Sequence, residues 1–173
     1  DKQLWENQSE AISNIKQALQ NRKRRILVSM ATGSGKTRLA MALTYQFLES
    51  GYAGRVLFVP DTEQLERDAL QAFQSYDPLG SPRFSDQYIT RGFDEYRDKE
   101  DADVVVSTIQ KAHYELKENP EECSVGEFDV VVADECHRGI YNSEEGYGKV
   151  LDFYDSIEIG LTATPHQKTI RRY

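Results

Sequence analysis

Short apolar runs alternate with longer amphipathic stretches along the chain, and that alternation predicts which segments become strands and which become helices. Residues 26–30 (Ile-Leu-Val-Ser-Met), 55–60 (Arg-Val-Leu-Phe-Val-Pro), 104–108 (Val-Val-Val-Ser-Thr), 128–133 (Phe-Asp-Val-Val-Val-Ala) and 157–161 (Ile-Glu-Ile-Gly-Leu) have strand length and few polar interruptions. This is the signature of strands buried on both faces of a parallel sheet. Residues 8–18 place Ala11, Ile12, Ile15 and Ala18, followed by Leu19, at helical spacing, and 21–25 (Asn-Arg-Lys-Arg-Arg) close that opening helix. Leu39, Ala42, Leu43 and Phe47 repeat the helical pattern after a glycine-containing turn. Thr62 opens a third helix towards Tyr76: its hydroxyl can cap the first turn, and Glu63 and Glu66 complement the positive end of the helix dipole. The break Asp77-Pro-Leu-Gly-Ser-Pro82 follows. Beyond it, 87–90 (Gln-Tyr-Ile-Thr) reads as a strand, separated from 104–108 by the charged stretch 91–103. The succession predicts an α/β fold, one parallel sheet sandwiched by helices, in a single domain without repeat, low-complexity tract or linker.

Composition narrows the class. At 173 residues, 39% hydrophobic and 29% charged, the chain is the size and character of one globular domain that builds its own core. It has 2 cysteines, and its first residues show neither a basic start nor an apolar core. Both features argue against secretion and a disulfide framework, so a cytoplasmic location is expected. No apolar run approaches the roughly 20 residues of a membrane-spanning helix. A net charge of −8, from 21 basic and 29 acidic residues, means that nucleic-acid contact would be local rather than a bulk attraction. The basic run 22–25 precedes a strand, which puts it at the sheet edge opposite the glycine turn, where it would complement a helix C-terminus.

Two motifs carry chemistry. Met30-Ala-Thr-Gly-Ser-Gly-Lys-Thr37 lies between a strand and a helix, the setting of a phosphate-binding P-loop. Gly33 and Gly35 let the backbone of Thr32, Ser34 and their neighbours turn its N–H groups onto phosphate oxygens. Lys36 reaches the terminal phosphates, and the hydroxyl of Thr37 can hold Mg²⁺. The motif departs from the usual pattern by having Met30 in place of its first glycine. Then Asp134-Glu-Cys-His137 follows the apolar run 130–133, 98 positions after Lys36. Carboxylates at the carboxyl end of a buried strand stand where α/β sheets bind ligands. Asp134 can hold Mg²⁺ and Glu135 can orient or deprotonate an attacking water. With three histidines and no zinc-like Cys/His spacing, His137 reads as a hydrogen-bonding bridge between the nucleotide site and a neighbouring segment. Cys136 reads as a small buried filler.

Together with Leu161-Thr-Ala-Thr-Pro165, these motifs resemble the first motor domain of superfamily-two helicases. The longer runs Asp134-Glu-Cys-His-Arg-Gly-Ile-Tyr-Asn142, Val150-Leu-Asp-Phe-Tyr-Asp155 and Gly160-Leu-Thr-Ala-Thr-Pro165 resemble the motor (restriction) subunit of type I restriction enzymes. The likeness runs from about Leu4 to His166. It implies a P-loop NTPase of the RecA-like type, using ATP and Mg²⁺, that couples hydrolysis to movement along double-stranded DNA. Its implied partners are a second motor lobe of the same polypeptide and specificity and methylation subunits. The resemblance assigns Thr162 and Thr164 to coupling, with His137 as their partner. It assigns Thr108-Ile-Gln110 and the segment 59–65, including Asp61, to DNA contact. Leu4-Trp-Glu-Asn-Gln8 is similar to the adenine-reading segment, where Gln8 would favour ATP over GTP.

The chain departs from its relatives at Trp5, where Arg is common, at Asn7, where an aromatic is common, and at Thr62, where Arg is frequent. Glu144-Glu145 also enlarges the loop after Tyr141. Residues 1–173 are thus expected to form one N-terminal RecA-like lobe. The arginine finger belongs to the second lobe and the nuclease to another domain, so a lone lobe is expected to bind ATP weakly and hydrolyse it negligibly. Three competing readings are a lobe of a repair or RNA helicase, a small-molecule P-loop kinase, and a non-catalytic nucleotide-dependent module. The kinase has no use for Thr-Ala-Thr-Pro, and the module has no need of Glu135.

Overall fold

Each apolar run becomes a strand, and the period-two alternation of its side chains sorts them between two helical layers. The computed structural model describes residues 4–78, 80–99, 101–137 and 147–173. Six strands, β1 (Arg25–Ser29), β2 (Val56–Val59), β3 (Thr90–Gly92), β4 (Val104–Val106), β5 (Val130–Ala133) and β6 (Ile157–Thr162), pair in the order β1-β6-β5-β2-β4-β3. Every pairing is parallel. Val56, Phe58, Val104, Val106, Val130, Val132, Ile159 and Leu161 face one side. There they meet α1 (Glu6–Gln20), α2 (Lys36–Glu49), α3 (Glu63–Ser75) and α4 (Phe84–Gln87). Leu57, Val59, Val105, Val131 and Ala133 face the other. They pack on α5 (Phe93–Lys99), α6 (Ile109–Glu118) and α7 (Tyr147–Phe153), while α8 (Gln167–Arg172) brings Tyr173 to the same layer. The result is the three-layer α/β sandwich that the sequence predicts. No helix among the described residues is long and apolar enough to cross a membrane.

Thr62 caps α3 as expected, accepting the N–H of Leu65 at 3.3 Å. Residues 84–92 differ from expectation. The run 87–90 is not one strand: its start belongs to α4, and the strand begins only at Thr90. Packing overrides local propensity there. A helical turn sets Phe84 and Tyr88 four residues apart, with ring centroids 5.1 Å apart, and lets fully buried Phe84 contact Tyr45, Phe73 and Tyr76. The charged stretch 91–103 also holds α5, whose buried Phe93 and Tyr96 at i, i+3 were its only apolar signal.

The basic run lies at the sheet edge opposite the P-loop, as predicted, but the reason differs. No basic residue falls in the last turn of α1. Instead Arg24 pairs with Asp155 at 2.6 Å and Arg25 with Asp152 at 2.8 Å. Glu158, buried on β6, is met by Arg172 of α8 through two bonds of 2.7 and 2.8 Å. Such charge-assisted pairing is what a buried carboxylate requires. The motif residues 138–142 and Glu144-Glu145 lie outside the described residues.

Removing the hub of the aromatic cluster tests this packing. Phe84→Ala should lower unfolding free energy by about 3–5 kcal/mol in urea titration, whereas a loss below about 1 kcal/mol would mean that the cluster does not anchor α4.

Candidate functional site

Because all strands run the same way, every loop that follows a strand emerges at one edge of the sheet. Placing β6 and β5 beside β1 brings the loops carrying the P-loop, Thr162 and Asp134 next to one another. The P-loop leaves β1 with the N–H of Met30 donating to the carbonyl of Thr162 at 2.9 Å. It then turns through Gly33 (φ 77°) and Gly35 (φ 81°), which caps α2. The hydroxyl and N–H of Ser34 both close the turn on the carbonyl of Ala31, at 2.6 and 3.2 Å. Thr32 and Thr37 stand exposed along the loop.

Lys36 begins α2, and its side chain is only 8% exposed. Its Nζ lies 3.2 Å from Oε1 of Glu135. A nearly buried ammonium needs such a partner, since desolvation without one is costly. Glu135 reaches it from a left-handed backbone conformation, φ 45°. Asp134 is anchored to the sheet by its N–H, which donates to the carbonyl of Val59 at 2.9 Å, and its carboxylate accepts the N–H of Glu135 at 2.9 Å. Burial pushes the Asp134 carboxyl above the ordinary aspartate range, although that N–H works against the shift. Cys136 is buried as expected, and burial pushes its thiol up to about 12, so it stays neutral and packs.

His137 continues the chain of contacts. Its Nδ1 lies 3.4 Å from Oε2 of Glu135 and 2.8 Å from Oγ1 of Thr162, while Nε2 lies 3.4 Å from Oγ1 of Thr164. Thr162 in turn accepts the N–H of Thr164 at 3.1 Å. The structure thus joins Lys36, Glu135, His137, Thr162 and Thr164 in one line of polar contacts.

Gln8 lies against the P-loop. It is 1% exposed, its Nε2 donates to the carbonyls of Ser34 (3.2 Å) and Gly35 (3.1 Å), and its Oε1 accepts the N–H of Trp5 at 3.0 Å. Sequence reasoning finds the residue but not this task, because only the fold sets α1 against the P-loop.

The DNA-contact candidates separate. Thr108 is buried and caps α6 by accepting the N–H of Lys111 at 3.4 Å, while Gln110 is exposed on the same turn. Asp61 lines a crevice with Asp134 and Glu135. Lys111, one turn after Thr108, is held by Glu66 at 3.1 Å and Asp94 at 3.5 Å. A cleft of about 910 Å³ between the C-terminal halves of α1 and α2 lies away from all of these groups.

Thr37 and Asp134 offer the hard oxygen donors that suit Mg²⁺. No group of three or more His, Cys, Asp or Glu among the described residues could hold a metal ion by itself. An ion here would therefore need phosphate oxygens as further ligands, as Mg²⁺ characteristically does.

A parallel sheet with a P-loop after its first strand and paired acids after the strand two along from it has the RecA-like fold of superfamily-two helicase cores. Comparison makes this particular. The chain belongs to the family described as "Type III restriction enzyme, res subunit", whose model matches residues 1–167. It is 28% identical over 180 residues to the type I restriction enzyme EcoKI endonuclease subunit of Escherichia coli K12, a match covering 95% of this chain and 15% of that protein. It is 29% identical over 170 residues to the EcoAI endonuclease subunit of Escherichia coli, covering 92% and 19%. The chain therefore spans less than a fifth of these relatives. The Sulfolobus solfataricus SWI2/SNF2 ATPase core, solved in complex with double-stranded DNA, shares the fold with a TM-score of 0.72 at 20% identity, over 94% of this chain and 32% of that one. The chain thus has a helicase-type ATPase fold and is similar in sequence to type I restriction enzyme endonuclease subunits.

The two loop glycines should respond differently to substitution. A Cβ on Gly35 would stand 2.3 Å from Nε2 of Gln8, whereas one on Gly33 meets nothing within 4 Å. Gly35→Ala should lower the melting temperature more than Gly33→Ala, and adding Gln8→Ala should restore part of the difference. Equal effects of the two glycine substitutions would contradict this packing.

Proposed function

We propose that this chain is the ATP-binding lobe of a DExH-box DNA translocase, coupling ATP hydrolysis to movement on double-stranded DNA in the motor subunit of a type I restriction enzyme. The contact between Lys36 and Glu135 carries the reading, because it closes the P-loop onto a carboxylate 99 positions away in the chain. A triphosphate entering the loop meets the N–H groups of residues 32–37 other than that of Ser34, which is turned to Ala31, and the positive end of α2. Its terminal phosphate competes with Glu135 for Lys36. Released from the ammonium, the carboxylate is free to orient a water and take its proton as oxygen attacks the γ-phosphorus and ADP leaves. Mg²⁺, held by Thr37 and Asp134 with the phosphates, would neutralise charge that develops on the β- and γ-oxygens.

The line from Glu135 through His137 to Thr162 and Thr164 supports a coupling role for these residues. Whatever moves Glu135 alters the contacts of the loop after β6. DNA backbone contact is assigned to the exposed first turn of α6, with Thr108 holding its geometry and Gln110 reaching out, and to the start of α3 after Asp61. Residues 1–173 form one wall of the catalytic cleft in this reading. A second motor lobe supplies the other wall with an arginine finger, a group worth about 10³–10⁵ in rate in comparable phosphoryl transfer. Specificity and methylation subunits would supply sequence recognition, and the assembly would work in the cytoplasm.

In the protein carrying both lobes, Glu135→Gln should hold nucleotide affinity within a few-fold and lower DNA-stimulated turnover by about 10²–10⁴. Unchanged turnover would assign the base elsewhere. Lys36→Ala should weaken nucleotide binding at least about tenfold, through loss of a charge-assisted phosphate contact. Stimulation by RNA in place of double-stranded DNA would move the lobe to an RNA helicase.

A further inference from the structure

We infer that Glu66 and Lys111 form a positioning pair that fixes the starts of α3 and α6, the two segments assigned to the DNA backbone, at one separation, and that Lys111 does not itself grip phosphate. This rests on the proposed DNA-contact reading of those segments. β2 and β4 are parallel neighbours, with Val56 opposite Val104 and Phe58 opposite Val106, so the loops that follow them leave the sheet side by side. Each enters its helix through a threonine cap: Thr62 accepts the N–H of Leu65, and Thr108 that of Lys111. Capping shapes each first turn but does not join the two. The bond of 3.1 Å from Nζ of Lys111 to Oε1 of Glu66 does. Asp94, in the first turn of α5, reaches the same ammonium at 3.5 Å. The helices that follow β2, β3 and β4 therefore meet at one cation.

Lys111 differs from Lys36 in what its release would leave behind. Glu135 is 24% exposed and can turn to water when a phosphate takes its place at Lys36. Glu66 is 6% exposed, and its Oε2 has no hydrogen-bond partner among the described residues. Giving up the ammonium would leave a buried carboxylate with nothing to offset its desolvation, which is far costlier than losing a surface pair. A phosphate approaching Nζ would also meet two carboxylates already placed there. Although partial burial works against it, Glu66 and Asp94 push the Lys111 ammonium above the ordinary lysine range, the mark of a charge already satisfied. Contacts to phosphate oxygens set the register of a protein on the duplex, so their donors must keep the spacing of the DNA backbone. A bond between the two first turns keeps that spacing.

The test is ATP turnover of the protein carrying both lobes, measured against double-stranded DNA concentration at several salt concentrations. Glu66→Leu removes the tether and leaves no buried charge to unfold the lobe. It should raise the DNA concentration for half-maximal stimulation by about tenfold while turnover at saturating DNA stays within about twofold. The slope of log affinity against log salt should not change. Adding Lys111→Met to Glu66→Leu should cost nothing further, because the pair acts as a unit. Lys111→Arg alone should keep the original half-saturation, since a guanidinium also pairs with Glu66. Tighter DNA binding by Glu66→Leu, or a further loss with the slope reduced by about 1 in the double variant, would make Lys111 a phosphate contact and overturn the inference. Half-saturation unmoved in both variants, with only the melting temperature changed, would overturn it as well by leaving the pair a matter of stability. Absence of DNA stimulation in the unsubstituted protein would instead overturn the proposed function, and this inference with it.

Discussion

A lysine side chain that is 8% exposed needs a partner for its charge, and the placement of Lys36 makes the rest of this lobe intelligible. Its charge is met at 3.2 Å by Glu135. That pairing needs β1 and β5 to end at the same edge of the sheet, separated only by β6. It also needs Glu135 to adopt φ 45°, a left-handed conformation that costs a non-glycine residue on the order of 1 kcal/mol. Among the described residues only Arg22 shares that property outside glycine. Such strain persists only where the surrounding structure over-determines it, as the contact to Lys36 does here.

Parallel strands supply the polarity on which this depends. The loops after β1, β2, β4, β5 and β6 emerge together, while the opposite edge collects the ion pairs of Arg24, Arg25, Asp152, Asp155 and Glu158. Those pairs are largely exposed, apart from the bond between Arg172 and buried Glu158, and exposed pairs contribute little stability. Stability comes instead from the two apolar layers, each fed by alternate residues of the same strands. The edge after the strands carries polar groups that this packing does not require, such as the Asp134 carboxyl, which burial holds above its ordinary range.

Backbone hydrogen bonding around the P-loop follows the same logic. Carbonyls of a tight loop need donors, and Ser34 and Gln8 provide them to Ala31 and Ser34, while the Gly35 carbonyl accepts from both Gln8 and the N–H of Leu39. In this geometry the Gln8 amide braces the loop through both of its carbonyl contacts.

Sequence alone determined the parallel α/β class, the P-loop with its glycines and lysine, the acids after β5, the cap of α3 and the buried character of Cys136. Each is written in contiguous residues, where periodicity of two or 3.6 and turn chemistry act locally. The strand-to-helix change at 84–92, the helix hidden in the charged stretch, the partners of the basic run and the task of Gln8 were decided by tertiary structure. Those outcomes depend on which side chains meet across the sheet: Phe84 on Tyr45 and Phe73, Arg24 on Asp155, Gln8 on Gly35. Periodicity tells which face a residue shows, but only chain topology tells what that face meets.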